Sequence, residues 1–581
     1  MELQEIIEKF RYFSSSKADY SRVCKQLDAY DSGDFWKHVK AKLPKHQMLV
    51  DTNYINYIKL NQLNSIYSSG YIADLTPKDF DDEDLARKIN CFLEHVYEKT
   101  NMSFYQMLAG ERAALMNVGA VMITWDNKVQ RGIHKDYRGQ IKPKFIETAS
   151  LYLDPVVRDY QEGSALFVAE VVSRKELCKN ADYRDKLAAD EEENKKTNGS
   201  NSFEYGKSYI SSKPVTTKDD SVYLLNAFIK TDDGHIDQYI IANERVILDH
   251  KKNIKPNRFP VAILYGLPPV KDVYGFNVTK LCLQNCLALN LLDSMGITHI
   301  YAQQRRATLM RADLGINVDY LAANINNPDV TIPVNGDPTK AVHQLDLPPL
   351  PNFLVEYRRQ LEESIFLISG VDPTYTGRQT NSITTTGGVE RLQQRASLTD
   401  AARIAMLEHF AKQLTELILE FYIEFGGEYE IKINNRHKAL REITSVDFSK
   451  LREKKSEFEF SMNASPYLPK NRIRYAEAAT QIMSYQAQYQ MNPPLITPEE
   501  WLKYQDFPQK DLMLQRMEAQ RLQDDVNEIT ENVVNFSSLM QQGVTPDGAI
   551  QMLADEKAMM RANPKLGNVA AGSVQAKQQG M

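Results

Sequence analysis

The sequence predicts an α+β protein that is mainly helical and contains more than one domain. Its 581 residues are 43% hydrophobic, which is enough to bury several cores, and chains of this length usually divide into domains. Apolar residues recur at helical spacing over several long stretches, the longest at 389–425. Short runs rich in β-branched and aromatic residues, bounded by turn residues, predict strands between them.

The composition excludes several classes of protein. Charged residues make up 25% of the chain, as in folded proteins and unlike fibrous ones. The formal net charge of -6 predicts no strong attraction for nucleic acid. The cysteines are few, odd in number and scattered, which predicts free thiols in a reducing compartment. They are Cys24, Cys91, Cys178, Cys282 and Cys286.

Neither an export signal nor a membrane span is predicted. The N-terminus MELQEIIEKFRYF carries acidic residues and lacks a long apolar stretch. The most apolar segment, Leu281–Ile300, contains four residues that a membrane helix would not normally tolerate. These are Gln284, Asn285, Asn290 and Asp293.

The N-terminal part of the chain predicts helices followed by strands. Residues 1–106 have a mainly helical pattern, with a helix start at Thr76-Pro77, where a capping hydroxyl precedes a proline. A further helix should end near Asn117. The run Gly119–Asp126 is then predicted to be a strand that pairs with the segment Lys142–Pro155.

Two more strands are predicted further along the chain. They lie at 221–230 and 235–248 and are joined by the tight turn Asp232-Asp233-Gly234. The segment 188–220 before them is charged and polar, with few apolar residues, and is predicted to be a mobile loop.

A protruding helical hairpin is predicted after this strand region. One helix should run from Gly275 to about Met310, and a second should return from Asn352 to Ser369. The stretch Asp313–Pro351 between them is rich in Asn, Asp, Gly and Pro and has short β-branched runs. It is therefore predicted to form a small compact tip with short strands.

A hydroxyl-rich loop and a very long helix follow the hairpin. Gly370–Gly388 is rich in Gly, Thr and Ser, and the helix after it should run from about Val389 to Phe425, roughly 55 Å. Strands are predicted at EYEIKI and SEFEFSMN, and the remainder is predicted to be helical before a disordered tail at 566–581. The apolar residues of the long helix are spaced by three and four: Ile404, Leu407, Phe410, Leu414, Leu417, Phe421 and Phe425.

The sequence contains no motif of a common enzyme class. It has no GxxxxGK[ST] phosphate loop, no HExxH or HxH metal motif and no GxSxG nucleophile motif. Cys282 and Cys286 are four residues apart on a predicted helix, but two ligands alone make a poor metal site. We therefore predict that both pack in the core.

Two charged clusters have a functional and a structural explanation. The run Asp81–Asp84 has the composition of a cation site, but negative charge is also favourable near a helix start, and this second explanation is preferred. Arg305, Arg306 and Arg311, near the end of the first hairpin helix, are candidates for contacts with phosphates or with a partner. Ion pairs between subunits explain these arginines equally well.

A series of segments resembles the portal proteins of tailed bacteriophages, especially the large portals of short-tailed phages. The resemblance extends from about Ser103 to Met560 and does not depend on a single motif. In order, the segments are MNVGAVMITWD, SLYLDPVVRDYQEGSALFVAEVV, PVAILYG, VYGFNVTKLCLQNCLALNLLDS, SGVDPTYTGRQTNSITTTGGVERLQQRASL, NASPYLPKNRIRYAEAATQIM and ITPEEWLKYQDFPQKDLMLQRM. Such proteins are structural, and they form rings, usually of twelve subunits, with wing, stem, clip and crown regions.

The resemblance implies a division of the chain into these regions. The wing would comprise residues 1–274, the long helix 389–425 and the strands of 426–465. The stem would consist of the helices 275–310 and 352–369, and the clip would be 311–351 between them. The tunnel loop would be 370–388 and the crown 466–565.

The resemblance also implies partners, location and sites. The partners would be double-stranded DNA, the terminase large subunit, major capsid and scaffold proteins and a head-tail adaptor. The protein would assemble in the host bacterial cytoplasm and end at the capsid portal vertex, with no cofactor. Hydroxyls and one cation would face DNA in the tunnel loop: Thr374, Thr376, Arg378, Thr380, Ser382, Thr384, Thr385 and Thr386. Clip residues would dock partners: Asp313, Asn317, Asp319, Asn326, Asp329, Asp337 and Lys340.

An acidic chain is compatible with a DNA channel. A wall that bound phosphates tightly would have to break those contacts at each step of DNA movement. Hydroxyl groups contact the DNA backbone without reading its sequence, although the same loop composition also fits a simple linker. Two other functions stay open from the residues alone: a different phage head-tail adaptor or assembly protein, and a metal-dependent enzyme acting on nucleic acid.

Overall fold

A computed structural model describes most of the chain outside its C-terminal part. The described residues are 2–38, 48–67, 71–77, 83–130, 138–197, 221–270, 272–304, 308–310, 319, 342–344, 349–370, 386–433, 442–453, 458–461, 478–486, 488, 495–498, 501–502 and scattered positions between 513 and 537. Two compact units are present, one of 1–429 with 446–469 and one of 430–445 with 470–581. Helices and strands are mixed and helices predominate, which confirms the α+β class.

The chain begins with a helical layer, as predicted. Its helices are α1 (Leu3–Ser16), α2 (Ala18–Asp31), α3 (Phe35–His38) and α4 (Tyr54–Gln62). The buried face of α1 carries Ile6, Ile7, Phe10 and Phe13, and Phe10 and Phe13 meet Phe167 of a β-sheet edge to face. The first helix is therefore held by apolar burial against that sheet.

The helix start predicted at Thr76-Pro77 is wrong. Asp74–Pro77 form a short strand, β1, which pairs with Phe458–Ser461 (β14), and the next helix, α5, spans Glu83–Thr100. Leu75 is buried, and its N–H and C=O are both bonded to the Asn90 side chain, at 2.9 and 3.1 Å. These contacts with distant residues override the local capping signal.

Two antiparallel sheets follow α6 (Met102–Met116). The three-stranded sheet has the order β3-β2-β9, with β2 at Val118–Gln130, β3 at Arg138–Ile146 and β9 at Val261–Tyr265. The five-stranded sheet has the order β4-β5-β6-β7-β8. Its strands are Leu151–Leu153, Ala165–Ser173, Ser221–Lys230, Ile236–Ala242 and Val246–Lys251.

Three predictions in this region need correction. The segment 142–155 is not one strand, because β3 ends at Ile146, a 3₁₀ turn follows, and β4 joins the other sheet. The run 235–248 is split into β7 and β8 by a turn in which Asn243 and Glu244 adopt positive φ. The predicted loop 188–220 begins inside a helix, since α8 spans Ala181–Thr197 after the short α7 (Arg174–Leu177); residues 198–220 lie outside the described part.

The two helices of the predicted hairpin are present. They are α9 (Val278–Gln304) and α10 (Asn352–Ser369), and the second has the predicted bounds. The first is shorter than predicted, because Thr308–Met310 form a strand, β10, that pairs antiparallel with Val342–Gln344 (β11). We call α9 and α10 together the helix hairpin.

The long helix α11 spans Thr386–Phe425, three residues longer than predicted at its start. Strand β12 (Glu428–Ile433) has the predicted bounds, and β14 lies within the predicted run SEFEFSMN. Strand β13 (Glu442–Asp447), which pairs with β12, and the short helix α12 (Phe448–Glu453) were not predicted. In the second unit, residues 478–486 are helical, and Trp501 N–H donates to Thr497 C=O, as expected for a helix that begins after Thr497.

The C-terminal carbonyl groups of α6 are bonded to side chains from other elements. Asn277 Nδ2, just before α9, donates to Ala113 O (2.8 Å) and Ala114 O (2.7 Å). Thr279 Oγ1 donates to Leu115 O (2.7 Å), and the Tyr20 hydroxyl donates to Met116 O (2.5 Å). The last carbonyls of a helix have few partners of their own, so the base of α9 and helix α2 supply these donors. Ala113 O in addition accepts the N–H of Asn117, at 3.0 Å.

A buried lysine ties the helical layer to the sheets. Lys17, between α1 and α2, is 1% exposed, and its Nζ donates to the carbonyl oxygens of Thr148 (2.6 Å), Ala149 (2.9 Å) and Leu151 (2.7 Å). The Nζ also lies 4.4 Å from the centroid of the Tyr152 ring. The buried amino group thus lies among three carbonyl acceptors and an aromatic face, which offset part of the cost of removing it from water.

The Lys17→Met variant should be less stable than the unmodified protein. Methionine fills a similar volume but removes the hydrogen bonds to the carbonyls of Thr148, Ala149 and Leu151, of which Leu151 keeps the Tyr274 hydroxyl as a donor. The free energy of unfolding should therefore fall by about 2 kcal/mol. Urea unfolding of the unassembled protein at neutral pH measures this. The control is Lys128→Met, because Lys128 is exposed. Equal losses in the two variants would contradict the role assigned to Lys17.

The stability difference between these proteins should also depend on pH. Burial lowers the pKa of Lys17 to about 7 from its ordinary value of 10.5. Between these values the unfolded chain binds more protons than the folded chain, so the contribution of Lys17 to stability rises with pH. The gap between the unmodified protein and Lys17→Met should therefore widen from neutral pH towards pH 10.5 and stay constant below about 7.

Removing the Asn277 side chain should loosen the base of the helix hairpin. The Asn277→Ala variant leaves the carbonyls of Ala113 and Ala114 without this donor, at a cost of about 2 kcal/mol in unfolding free energy. Hydrogen exchange should speed up in the first turns of α9 before it does so in the sheets. The matched control is Asn257→Ala, whose exposed amide donates to one carbonyl, that of Gly234. No change relative to this control would rule out the anchoring role.

Candidate functional site

The helix hairpin has the geometry of a rigid antiparallel rod. Cys282 near the start of α9 lies against Ile365 near the end of α10, with 3.9 Å between Sγ and the carbonyl oxygen. Further along, Asp293 of α9 meets Arg358 of α10. Residues late in α9 therefore lie beside residues early in α10, which shows that the two helices run antiparallel.

A bidentate ion pair fixes the register of the two helices. Arg358 Nε and Nη2 donate to the two carboxylate oxygens of Asp293, at 2.5 and 3.2 Å, and Nη1 reaches Glu362 at 3.4 Å. The hydrogen bonds to Asp293 raise the pKa of the Arg358 guanidinium. Because two parallel N–H···O bonds form only in one orientation, the pair specifies alignment more than it adds stability.

The two cysteines of α9 are packing residues, as predicted. Cys282 and Cys286 are both free thiols with no exposed surface and belong to one apolar core with residues of α2, α6 and the sheets. Burial raises the pKa of the Cys282 thiol to about 11 and that of Cys286 further. Since a thiolate is the form that binds metals, this environment disfavours metal binding.

The predicted tip lies mostly outside the described residues. The strand pair β10–β11 closes its base, with Leu309 opposite His343. Of the predicted docking residues, Asp319 is described and is helical. Asp313, Asn317, Asn326, Asp329, Asp337 and Lys340, and the arginines Arg305, Arg306 and Arg311, lie outside the described residues.

The predicted hydroxyl-rich loop has a different C-terminal boundary. Thr386, Gly387 and Gly388 belong to the first turn of α11 and not to a loop. Thr374, Thr376, Arg378, Thr380, Ser382, Thr384 and Thr385 lie outside the described residues. In the acidic run, Glu83 and Asp84 begin α5, while Asp81 and Asp82 are outside the described part.

The second half of α11 is buried against the rest of its unit, and most of the apolar residues predicted to line one face of the helix lie in that buried surface. Leu407, Phe410, Leu414, Leu417 and Phe421 are buried, whereas Ile404 is half-buried and Phe425 is exposed. The helix therefore packs along most of the face that the spacing predicted.

Polar contacts that the sequence analysis missed fix α11 to its neighbours. Gln413 Oε1 accepts a hydrogen bond from the buried Tyr160 hydroxyl at 3.1 Å, and Thr415 Oγ1 accepts one from Ala73 N–H at 3.3 Å. Arg258 lies between Glu416 and Glu420, at 3.3 and 3.2 Å. A polar residue inside an apolar helical stripe, such as Thr415, is the sequence signal that points to such contacts.

The described part offers no metal-ligand cluster. Among the described residues, no three His, Cys, Asp or Glu side chains converge as metal ligands. No helix in the same part of the chain has both the length and the apolar character needed to cross a bilayer.

Comparison with known proteins identifies the family. The family model described as phage P22-like portal protein matches residues 10–567. The match includes both sheets, the helix hairpin and α11. No curated protein matches the chain. Because the family model covers nearly the whole sequence, the chain belongs to the phage P22-like portal protein family.

Proposed function

We propose that copies of this chain form a ring-shaped channel at one capsid vertex, through which double-stranded DNA enters during packaging and leaves during ejection. The observation that carries the proposal is the family match over residues 10–567. The family resemblance implies a ring of twelve copies, and head-to-tail contacts between identical subunits give a ring when the rotation between neighbours closes. The role is structural and not enzymatic.

The helix hairpin supports a channel-forming role. Its two helices are aligned by the Asp293–Arg358 pair and anchored at the base by Asn277 and Thr279. Two helices aligned and anchored in this way keep their relative position when a force acts along them. We propose that the helix hairpin is the stem, with the wing at 1–274 and 426–465, the clip at 311–351 and the crown at 466–565.

The segment 371–385 is the proposed DNA-facing loop, with its hydroxyl groups and Arg378 towards the channel. Hydroxyls form hydrogen bonds with phosphates but do not distinguish bases, which suits DNA that must pass whatever its sequence. The net charge of -6 argues in the same direction, since a strongly basic wall would hold each phosphate.

The tip is the proposed docking surface for partner proteins. It connects the ends of α9 and α10 that lie away from the anchored base, a position suited to docking. The terminase large subunit would bind there during packaging and a head-tail adaptor afterwards. Major capsid and scaffold proteins would contact the ring as it is built into the capsid in the host cytoplasm.

The purified protein should form rings. Native mass measurement at micromolar concentration should give a dominant species many times the chain mass of 66.5 kDa, and negative-stain electron microscopy should show a central hole. A stable monomer under these conditions would contradict the proposed function.

Stiffening the start of α11 should impair DNA passage without preventing ring assembly. Two consecutive glycines, Gly387 and Gly388, weaken the first turn by about 1 kcal/mol each relative to alanine, so this turn opens easily. The variant Gly387→Ala/Gly388→Ala should assemble normally but package less DNA in a packaging assay.

The matched control is Gly296→Ala within α9, where an added methyl group meets no atom within 4 Å. Rings of this control should package DNA like the unmodified protein. Normal packaging by the double variant would show that the adaptability of this turn is not needed.

A further inference from the structure

The segment 48–52 lies along one side of α9 and is hydrogen-bonded to it. Thr52 N–H donates to Asn290 Oδ1 at 2.9 Å, and Asn290 Nδ2 donates back to Asp51 Oδ1 at 3.1 Å. Two further backbone N–H groups of the segment donate to α9 side chains one and two turns along the helix. One carboxylate oxygen of Asp51 is therefore fixed beside α9.

The other carboxylate oxygen of Asp51 is buried without a donor. Oδ2 has no contact with solvent, and no donor among the described residues reaches it. Burial raises the pKa of this carboxyl, because the charged form is poorly solvated. A buried acceptor of this kind destabilises the fold unless a donor meets it.

Helix α2 contributes a buried hydroxyl that also has no protein partner. Tyr30 is 2% exposed, and its hydroxyl makes no hydrogen bond to any described residue. Burial raises the pKa of this hydroxyl, and the neighbouring Cys286 and Asp51 raise it further. The Tyr30 hydroxyl therefore lies within electrostatic reach of both groups, although it does not bond Asp51 directly.

Cys286 and Asn290 place these two groups at one junction. They are four residues apart and therefore lie on the same side of α9. Asn290 holds Asp51, and Cys286 packs in the same apolar core as Tyr30. The junction thus joins α2, α9 and the segment 48–52, and its two unpaired polar atoms come from different elements.

We infer that a single internal water molecule binds at this junction, accepts a hydrogen bond from the Tyr30 hydroxyl and donates one to Asp51 Oδ2. A buried water needs two to four polar partners, and here one group donates while the other accepts. The Cys286 thiol is a third, weaker donor. One small molecule satisfies both buried groups at once, and it links the helical layer to the segment that lies on α9.

A water fits this junction better than a metal ion does. One carboxylate oxygen and one phenol are too few oxygen ligands for Ca²⁺ or Mg²⁺. Burial also raises the pKa of the Cys286 thiol, so the thiolate form that binds metals is disfavoured. All the groups involved belong to one chain, so the inference does not depend on ring formation.

The sign of one substitution tests for the water. Tyr30→Phe keeps the ring and removes the hydroxyl. With the water bound, the variant loses a hydrogen bond, and the equilibrium constant for unfolding in urea should rise about fivefold. With an unpaired hydroxyl, the same change removes a buried polar group that has no partner, so the constant would stay level or fall. A level or lower constant would overturn the inference.

Two tyrosines provide matched controls. The buried Tyr71 hydroxyl donates directly to Ile66 O at 2.8 Å, so Tyr71→Phe should show the loss expected for one hydrogen bond. Tyr12 is 53% exposed, so Tyr12→Phe should leave the unfolding constant unchanged. The Tyr30→Phe value should lie near that of Tyr71→Phe and away from that of Tyr12→Phe.

Hydrogen exchange tests the link between α2 and the segment. In Tyr30→Phe the backbone N–H groups of Val50 and Thr52 should exchange several times faster than in Tyr71→Phe, because the segment loses its connection to α2. Equal exchange in the two variants would show that the junction does not hold the segment.

A crystal structure of the full-length protein with ordered waters resolved separates a water from the other arrangements. The expected result is one density peak about 2.8 Å from both Tyr30 Oη and Asp51 Oδ2. A direct Tyr30–Asp51 hydrogen bond without such a peak would overturn the inference. A peak at about 2.4 Å from the carboxylate, as for a metal ion, would overturn it as well.

Discussion

The architecture depends on how the last turn of α6 is capped. Four consecutive carbonyls there accept hydrogen bonds from Asn277, Thr279 and Tyr20, which lie elsewhere in the chain. Polar groups left unpaired in this buried region would each cost about 1–3 kcal/mol, so the arrangement admits little variation. The base of the helix hairpin is therefore fixed to the helical layer and to β2, which begins directly after α6.

Polar contacts also fix the positions of the elements that extend from this base. The Asp293–Arg358 pair aligns α9 with α10. Asn290, Ser294 and Thr298 of α9 accept the backbone N–H groups of Thr52, Val50 and Met48 and so align residues 48–52 with the helix. Apolar packing supplies most of the stabilisation but tolerates sliding, whereas a bidentate ion pair or a row of matched hydrogen bonds does not.

The long helix α11 differs in character between its two ends. Its second half is held by close packing against the rest of the unit. Its first turn contains two glycines, which carry little helix propensity. The same long helix thus joins an adaptable end to a buried one.

The sequence by itself determined the α+β class, the helix hairpin, the long helix and the packing role of Cys282 and Cys286, because periodicity and residue type encode burial directly. Only the tertiary structure decided which strands share a sheet, the strand at Asp74–Pro77, the split of 235–248 and the first turn of α11. It also revealed the hydrogen bonds from residues 48–52 to α9 and the partners of Lys17 and Thr415. These features depend on hydrogen bonds between groups that are far apart in the chain. A local sequence pattern does not specify which distant donor binds which acceptor.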